Sequence, residues 1–245
     1  MTALTEPCRS EVEHWPFATH WPGVQFTALR IANVRERPVP WRDDALLQAA
    51  RLTNAAPKRR DEFLAGRRCA QAALGACGVD APVPRATDGA PMWPPGVIGA
   101  ITHGAGWAAA LVSRDLRCRG LGVDVEACLA DDGWTELAPQ FLLPRERRLL
   151  IDGPPALVAT LCFSFKESLM KAVLPRLSAP LDFLSIEVLA LDHMRRQARL
   201  SLPAVARVAV GEDCEVLAQW APWPVVSHPD KPTAVMTALQ LRSQR

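Results

Sequence analysis

Proline decides what this chain can build. Of its 245 residues 22 are proline, about 9% against an average near 5%. They fall in short groups along the whole length and not in one linker. Inside a helix a proline removes a hydrogen bond and clashes with the preceding turn, and in a central strand it removes a ladder donor. The chain is therefore held to compact elements separated by punctuating loops. Apolar and β-branched residues over 24–34 predict a first strand. Past Pro40 the spacing of Ala45, Leu46, Ala49 and Leu52 turns helical. One helix is expected before Pro57 and a second from about Lys58 to Ala76, ended by Gly78. Residues 81–97 read as loop, 98–112 as one or two buried strands, and Leu121–Val125 as a short strand bounded by Gly120. Helices are expected over 134–150 and 155–174, the second stopped by Pro175. Strand patterns recur near 183–191, 197–202, 214–220 and 233–241. No fixed-period repeat is visible. The fold class is α+β.

A chain of this length is one large domain or two small ones. Its 49% apolar and 22% charged residues argue against wholesale disorder. The formal charge of +2 removes the electrostatic reason to expect nucleic-acid binding, so any basic patch must be local. No run of 18 apolar residues suggests a membrane span. Glu6, Glu11 and Glu13 near the start do not fit a secretory signal. The seven cysteines form no CxxC pair, and Cys69, Cys77 and Cys162 sit among apolar neighbours, as reduced small hydrophobes do. These features together predict a soluble, cytoplasmic protein.

The most informative stretch is Gly122-Val123-Asp124-Val125-Glu126. Strand side chains alternate, so Asp124 and Glu126 share one face and Val123 and Val125 the other. Two carboxylates on one face repel unless a cation lies between them, and Mg²⁺ or Mn²⁺ with oxygen ligands meets that need. Two unrelated acids on a solvated strand face is the competing explanation. On the helix carrying Phe163-Ser164-Phe165-Lys166-Glu167-Ser168, Glu167 and Lys171 are i,i+4 neighbours, an ordinary stabilising pair by itself. The apolar run Ala159–Phe165 before them places Glu167 beside a core, where a carboxylate needs a partner stronger than solvent. His103, in Ile98-Gly99-Ala100-Ile101-Thr102-His103-Gly104, reads more readily as a satisfied buried histidine than as a ligand. Lys58, Arg59, Arg60, Arg67, Arg68 and the loop residue Arg85 read either as a solvated face or as a local polyanion site.

Together these stretches resemble the 4′-phosphopantetheinyl transferases of the surfactin- and enterobactin-synthetase type. The resemblance runs through Lys58-Arg59-Arg60-Asp61-Glu62-Phe63 with Arg67, Met92-Trp93-Pro94-Pro95-Gly96, Gly99 to His103, Gly122 to Glu126, and Phe163 to Ser168 with Lys171-Ala172. It spans residues 58–172 and extends weakly to Pro180-Leu181-Asp182-Phe183. The order is that of the family, and five soft motifs in order are far more specific than any one.

The resemblance implies an enzyme that moves the phosphopantetheine arm of coenzyme A onto a serine of an apo acyl or peptidyl carrier protein, leaving adenosine 3′,5′-bisphosphate. It implies Asp124, Glu126 and Glu167 as Mg²⁺ ligands, with Mn²⁺ possible. Arg59, Arg67 and Arg85 would neutralise the phosphates of CoA, with Thr102 and His103 on the 3′-phosphate. Lys171 would contact the pyrophosphate and the leaving group, and Leu181 would lie near the cofactor through its backbone. Glu167, or a water on the metal beside it, would accept the serine proton. Helix geometry favours Arg60, seven residues before Arg67, whereas the family resemblance favours Arg59. The implied fold is two similar α+β halves about a pseudo-twofold axis, with CoA between them in a monomer. Residues 1–120 would form the first half and 121–245 the second. Departures are Ala100 where serine is common, Gly104 after the histidine, and Met170 where the family usually has tyrosine. None removes a charged group.

A different Mg²⁺-dependent phosphotransferase is disfavoured because no GxxxxGK[ST] loop occurs. A catalytically silent CoA- or carrier-binding module would be expected to lack a carboxylate or the lysine, and all four are present. For the acidic carrier, charge complementarity points to 139–150, with Phe141, Leu142, Leu143, Arg145, Arg147 and Arg148.

Overall fold

The computed structural model describes residues 15–36, 40–177, 180–211, 214–224 and 232–244. The acidic residues Glu6, Glu11 and Glu13 lie outside them.

In the N-terminal lobe, β1 (Val24–Arg30) leads through α1 (Ala32–Glu36) and α2 (Pro40–Ala49) to α3 (Pro57–Ala76), followed by β2 (Ile98–Gly104) and β3 (Trp107–Ser113). The C-terminal lobe runs β4 (Cys118–Ala127), α4 (Trp134–Leu137), α5 (Pro155–Val173), β5 (Val188–Asp192), β6 (Gln197–Leu200), α6 (Ala204–Val210), β7 (Cys214–Trp223) and β8 (Ala234–Ser243). The first sheet has the antiparallel order β1-β3-β2 and the second the order β4-β8-β7-β6-β5. Each lobe thus goes strand, long helix, then two strands with the last one central, and the second lobe inserts β5, β6 and α6 before that closing pair. The α+β class is as expected.

Strand alternation sorts the core into layers. On β3, Ala108, Ala110 and Val112 pack under α3 with Leu64, Ala70 and Leu74. The opposite face, Trp107, Ala109 and Leu111, meets Val123 and Val125 of β4 and Met236 and Ala238 of β8. On the far side of the second sheet, Val235, Leu239 and Leu241 pack against Leu161, Phe165 and Leu169 of α5. The order is helix, sheet, sheet, helix, so the two lobes share one of the three cores. The tryptophan- and proline-rich segment near the C-terminus divides between two cores: Trp220 packs in the core under α5, and Trp223 in the shared core, where it meets Trp107 at 5.1 Å and Phe26 at 6.2 Å.

Several elements depart from expectation. The first strand ends at Arg30, and 32–36 form a helix. Residues 134–150 are not one helix: α4 gives way to 3-10 turns at Ala138–Gln140 and Pro144–Ile151. Pro139 and Pro144 have no N–H to donate and cannot continue a helix laid down before them. Helix α6, whose Ala-Val-Ala-Arg-Val-Ala-Val sequence carries no helical periodicity of polarity, was not expected.

Candidate active site

Four small or acidic residues on one face of β4 position the site. Gly120, Gly122, Asp124 and Glu126 alternate with buried Leu121, Val123 and Val125. A Cβ on Gly122 would run into the Ser168 carbonyl of α5, and one on Gly120 into the Ala172 carbonyl. Next along the same line, Ser164 Oγ donates to Asp124 Oδ2 at 2.7 Å. The helix therefore lies on the strand with Ser164, Ser168 and Ala172 opposite Asp124, Gly122 and Gly120. The match is geometric: four helical residues rise about 6 Å and two strand residues about 6.7 Å. Thr237 of β8 bonds both helix serines, at 2.9 Å to Ser164 Oγ and 2.8 Å to Ser168 Oγ. This contact turns Glu167 and Lys171 toward the carboxylates.

The edge strands of the two sheets, β2 and β4, meet here. Gly104 is required at the crossing, because a Cβ there would run into the carbonyl of Val125. Opposite, Thr102 Oγ1 donates to Asp124 Oδ1 at 3.2 Å. Lys171 Nζ bonds Asp124 Oδ1 at 2.6 Å, Thr102 Oγ1 at 3.1 Å and the Val123 carbonyl at 3.2 Å. Lys171 thus pairs with Asp124 rather than with Glu167, its i,i+4 neighbour. Burial pushes the Glu126 carboxyl up to about 7, with Asp124 and Glu167 adding to the rise and Lys171 opposing it. Burial and Asp124 likewise raise Glu167, again against Lys171. Asp124, Glu126 and Glu167 are thus close enough to feel one another, and all offer oxygen. Among the described residues, however, no three His, Cys, Asp or Glu side chains are gathered as a ligand set.

A second cluster comes from α3, the 81–97 loop and β2. Arg67 is 7% exposed, its guanidinium lies 4.6 Å from the centre of the Phe63 ring, and its Nε has no hydrogen-bond partner. Burial lowers its pKa to about 10, helped by the charges of Arg85 and Arg59. Arg85 Nη1 reaches the Ala50 carbonyl at 3.4 Å, and its buried Nε is also unpartnered. Arg59 Nη1 lies 3.0 Å from His103 Nε2. An arginine only donates, so Nε2 must accept, which leaves the imidazole neutral with its proton on Nδ1, 3.8 Å from Glu62. Burial lowers the His103 pKa, with Arg59 and Lys171 in the same direction and Glu62 opposing. Arg60 instead turns to the Thr53 carbonyl at 3.5 Å. Because Thr102 and His103 are adjacent on a strand, they point to opposite sides: Thr102 to Asp124 and Lys171, His103 to Arg59.

From Glu126 and Glu167 an apolar cleft of about 290 Å³ opens between Leu129, Phe141, Phe163 and Phe183. Leu181 is buried in the core of this lobe, so its side chain offers no free surface. In the segment expected to dock a carrier, Phe141 and Leu142 are buried. Arg145 pairs with Glu187 at 2.8 Å, and Arg148 reaches Glu187 at 3.9 Å and the Leu189 carbonyl at 3.3 Å. The two arginines share the single Glu187 carboxylate, which offsets one of the three positive charges of the expected basic rim. One charged pair escaped sequence reasoning altogether. Lys166 and Glu146 are both fully buried, and they bond at 2.8 Å across 20 residues. Only the identity of Lys166, a lysine at the end of an apolar run, hinted at it.

Residues 47–113 match the family model described as the 4′-phosphopantetheinyl transferase N-terminal domain, and residues 120–220 match that of the 4′-phosphopantetheinyl transferase superfamily. The chain is 35% identical over 193 residues to enterobactin synthase component D of Salmonella typhimurium, covering 78% of this chain and 77% of the relative. It is 39% identical over 151 residues to the 4′-phosphopantetheinyl transferase Svp of Streptomyces mobaraensis, covering 59% of this chain and 60% of that one. With the 4′-phosphopantetheinyl transferase Npt of Nocardia iowensis it shares 36% identity over 137 residues, 54% of this chain and 60% of the relative.

Proposed function

This chain belongs to the 4′-phosphopantetheinyl transferase superfamily, and we propose that it transfers the phosphopantetheine arm of coenzyme A to a serine hydroxyl of an apo acyl or peptidyl carrier protein. The observation that carries the reading is the meeting of two edge strands, which brings the Asp124–Lys171 pair and the Glu126 and Glu167 carboxylates beside the arginines around buried Arg67, where the Nε atoms of Arg67 and Arg85 find no partner among the described residues.

An unpartnered, buried guanidinium is costly unless an anion arrives to meet it. Arg59, Arg67, Arg85 and His103 bind the phosphates of the donor, with the 3′-phosphate against His103. Thr102 is proposed beside it, and its hydroxyl also bonds Asp124 and Lys171. Lys171 addresses the pyrophosphate. In the reaction the serine oxygen forms a bond to the phosphorus bearing pantetheine, and the bridging P–O bond of the pyrophosphate breaks. The electron pair leaves on the 5′-phosphate of adenosine 3′,5′-bisphosphate, where Lys171 stabilises it. The serine proton passes to the Glu167 carboxylate.

A Mg²⁺ or Mn²⁺ ion belongs to this proposal. The fit rests on the donor set: the partly desolvated Glu126 and Glu167 carboxyls, both raised by burial and by the nearby Asp124, with no thiol or imidazole among the three, suit a hard cation. Asp124, Glu126 and Glu167 would hold it, and when bound it would neutralise charge on the pyrophosphate. The Leu181 backbone lies near the donor in the same reading. The matching strand orders of the two lobes support a pseudo-twofold arrangement, with halves 1–120 and 121–245 acting as a monomer in the cytoplasm.

Glu167→Gln tests the proton acceptor. Transfer should fall about 10²- to 10⁴-fold while CoA still binds, measured by single-turnover transfer beside CoA titration. Turnover like that of the unaltered protein would reject the assignment.

A further inference from the structure

Lys166 and Glu146 take no part in the chemistry above, yet they are the most thoroughly enclosed charges among the described residues. Both side chains are fully buried. Lys166 Nζ donates to Glu146 Oε2 at 2.8 Å and to the Phe141 carbonyl at 2.7 Å. It also lies 5.9 Å from the centre of the Phe183 ring. Glu146 spends its remaining capacity on backbone: Oε2 accepts from Leu143 N and Oε1 from Val188 N, both at 2.7 Å. Four stretches of chain, α5, the 138–143 turn, the 144–151 turn and the start of β5, are thus tied at one point.

Such a pair is a poor way to add stability. Desolvating two charges offsets most of their attraction, and apolar replacements of similar size often do as well or better. What the pair does supply is a hydrogen-bonded anchor for Phe141 and Val188 in addition to their packing in the core. Two of its contacts, Phe141 and Phe183, are walls of the cleft that opens from Glu126 and Glu167, and Phe163 stands between them at 5.4 and 5.6 Å. Lys166 follows Phe165 and precedes Glu167 on α5, so one turn of helix carries both the proposed proton acceptor and the anchor of the cleft wall.

We infer that Lys166, through Glu146 and the Phe141 carbonyl, is a positioning residue that sets the aromatic wall along which the pantetheine arm of the donor lies. The inference rests on the transferase reading, since it assigns the cleft to the arm. The arm is mostly amide and methylene, and an apolar cleft lined by aromatic rings beside the reacting phosphate suits it. A wall displaced by about 1 Å would misplace the reacting phosphorus and slow transfer without touching the phosphate cluster.

The test compares CoA with adenosine 3′,5′-bisphosphate, which keeps the phosphates and lacks the arm. Lys166→Met leaves a buried carboxylate unpaired and serves with the double variant Lys166→Met/Glu146→Leu, which leaves no charge behind. Calorimetric titration of both ligands and steady-state transfer are read at a temperature where thermal melts show each variant folded. In the double variant the preference for CoA over the bisphosphate should fall on the order of tenfold, with kcat falling alongside and bisphosphate affinity unchanged. An unchanged preference in a folded variant overturns the inference, and so does an equal loss for both ligands, which marks a merely structural role. Should neither variant fold, Phe141→Leu trims the wall with the ion pair intact and must lower the same preference; no change there rejects the inference. A natural chain that binds CoA and never transfers would instead sink the transferase reading, because the preference is read by binding alone.

Discussion

On the proposed function, Arg67 is a single side chain kept for binding at the expense of the fold. It is a buried cation with an unpartnered Nε and two further arginines pressing on it. That arrangement costs free energy unless an anion meets it, because a desolvated charge without a counter-charge is unfavourable. Arg67→Met keeps the length and the contact with Phe63 and removes the charge. Thermal unfolding of this variant should match or exceed that of the natural chain, while CoA affinity falls at least tenfold, as loss of a charge-assisted contact of about 1.5–3 kcal/mol requires. A variant that melts earlier and binds CoA normally would make Arg67 a structural residue. The sequence could place Arg67 among candidates but could not say that its neighbours offer it no carboxylate. Arg68, one residue on, finds Asp43 at 2.7 Å, and the two look alike in one dimension. The choice between Arg59 and Arg60 is similar: their helical positions differ by one step, and only the crossing of β2 turns Arg59 to His103.

At the scale of elements, the pairing of β4 with α5 carries the site. Gly120 and Gly122 let helix backbone come down on strand backbone, and that approach fixes where Glu167 and Lys171 point relative to Asp124 and Glu126. Gly122→Ala should lower stability by about 1–3 kcal/mol through overpacking, seen in urea titration, and should also lower transfer in the folded fraction. Unchanged stability and transfer would mean the contact is not as close as described. The face shared by Asp124 and Glu126 was legible because a period of two needs only local sequence. The elements 134–150 and α6 were not. The first has good helical composition but contains Pro139 and Pro144, whose missing donors divide it into a short helix and 3-10 turns. The second is rich in valine and is helical through packing of Ala206 and Val210 into the core. The Lys166–Glu146 tie, 20 residues apart and formed across two turns, leaves no local pattern.

For the whole molecule, the shared core between the sheets matters more than the boundary between halves. Trp107, Leu111, Val123, Val125, Trp223 and Met236 from both lobes bury one another, so separating the lobes would bare a continuous apolar face. A fragment beginning at residue 118 should therefore show no cooperative melt by circular dichroism; a sharp transition would make the second lobe an independent domain. The matching strand orders escaped sequence reading because the halves share topology without a visible repeat. The central claim concerns what the joined lobes do, and intact-mass spectrometry addresses it most directly. An apo carrier protein is incubated with this chain, CoA and Mg²⁺, beside a control containing EDTA. The carrier should gain the mass of one phosphopantetheine group, and EDTA should abolish the gain. A full gain in EDTA would contradict the assignment of a cation to Asp124, Glu126 and Glu167, and no gain on any of several carrier types, with CoA bound, would contradict the transferase itself.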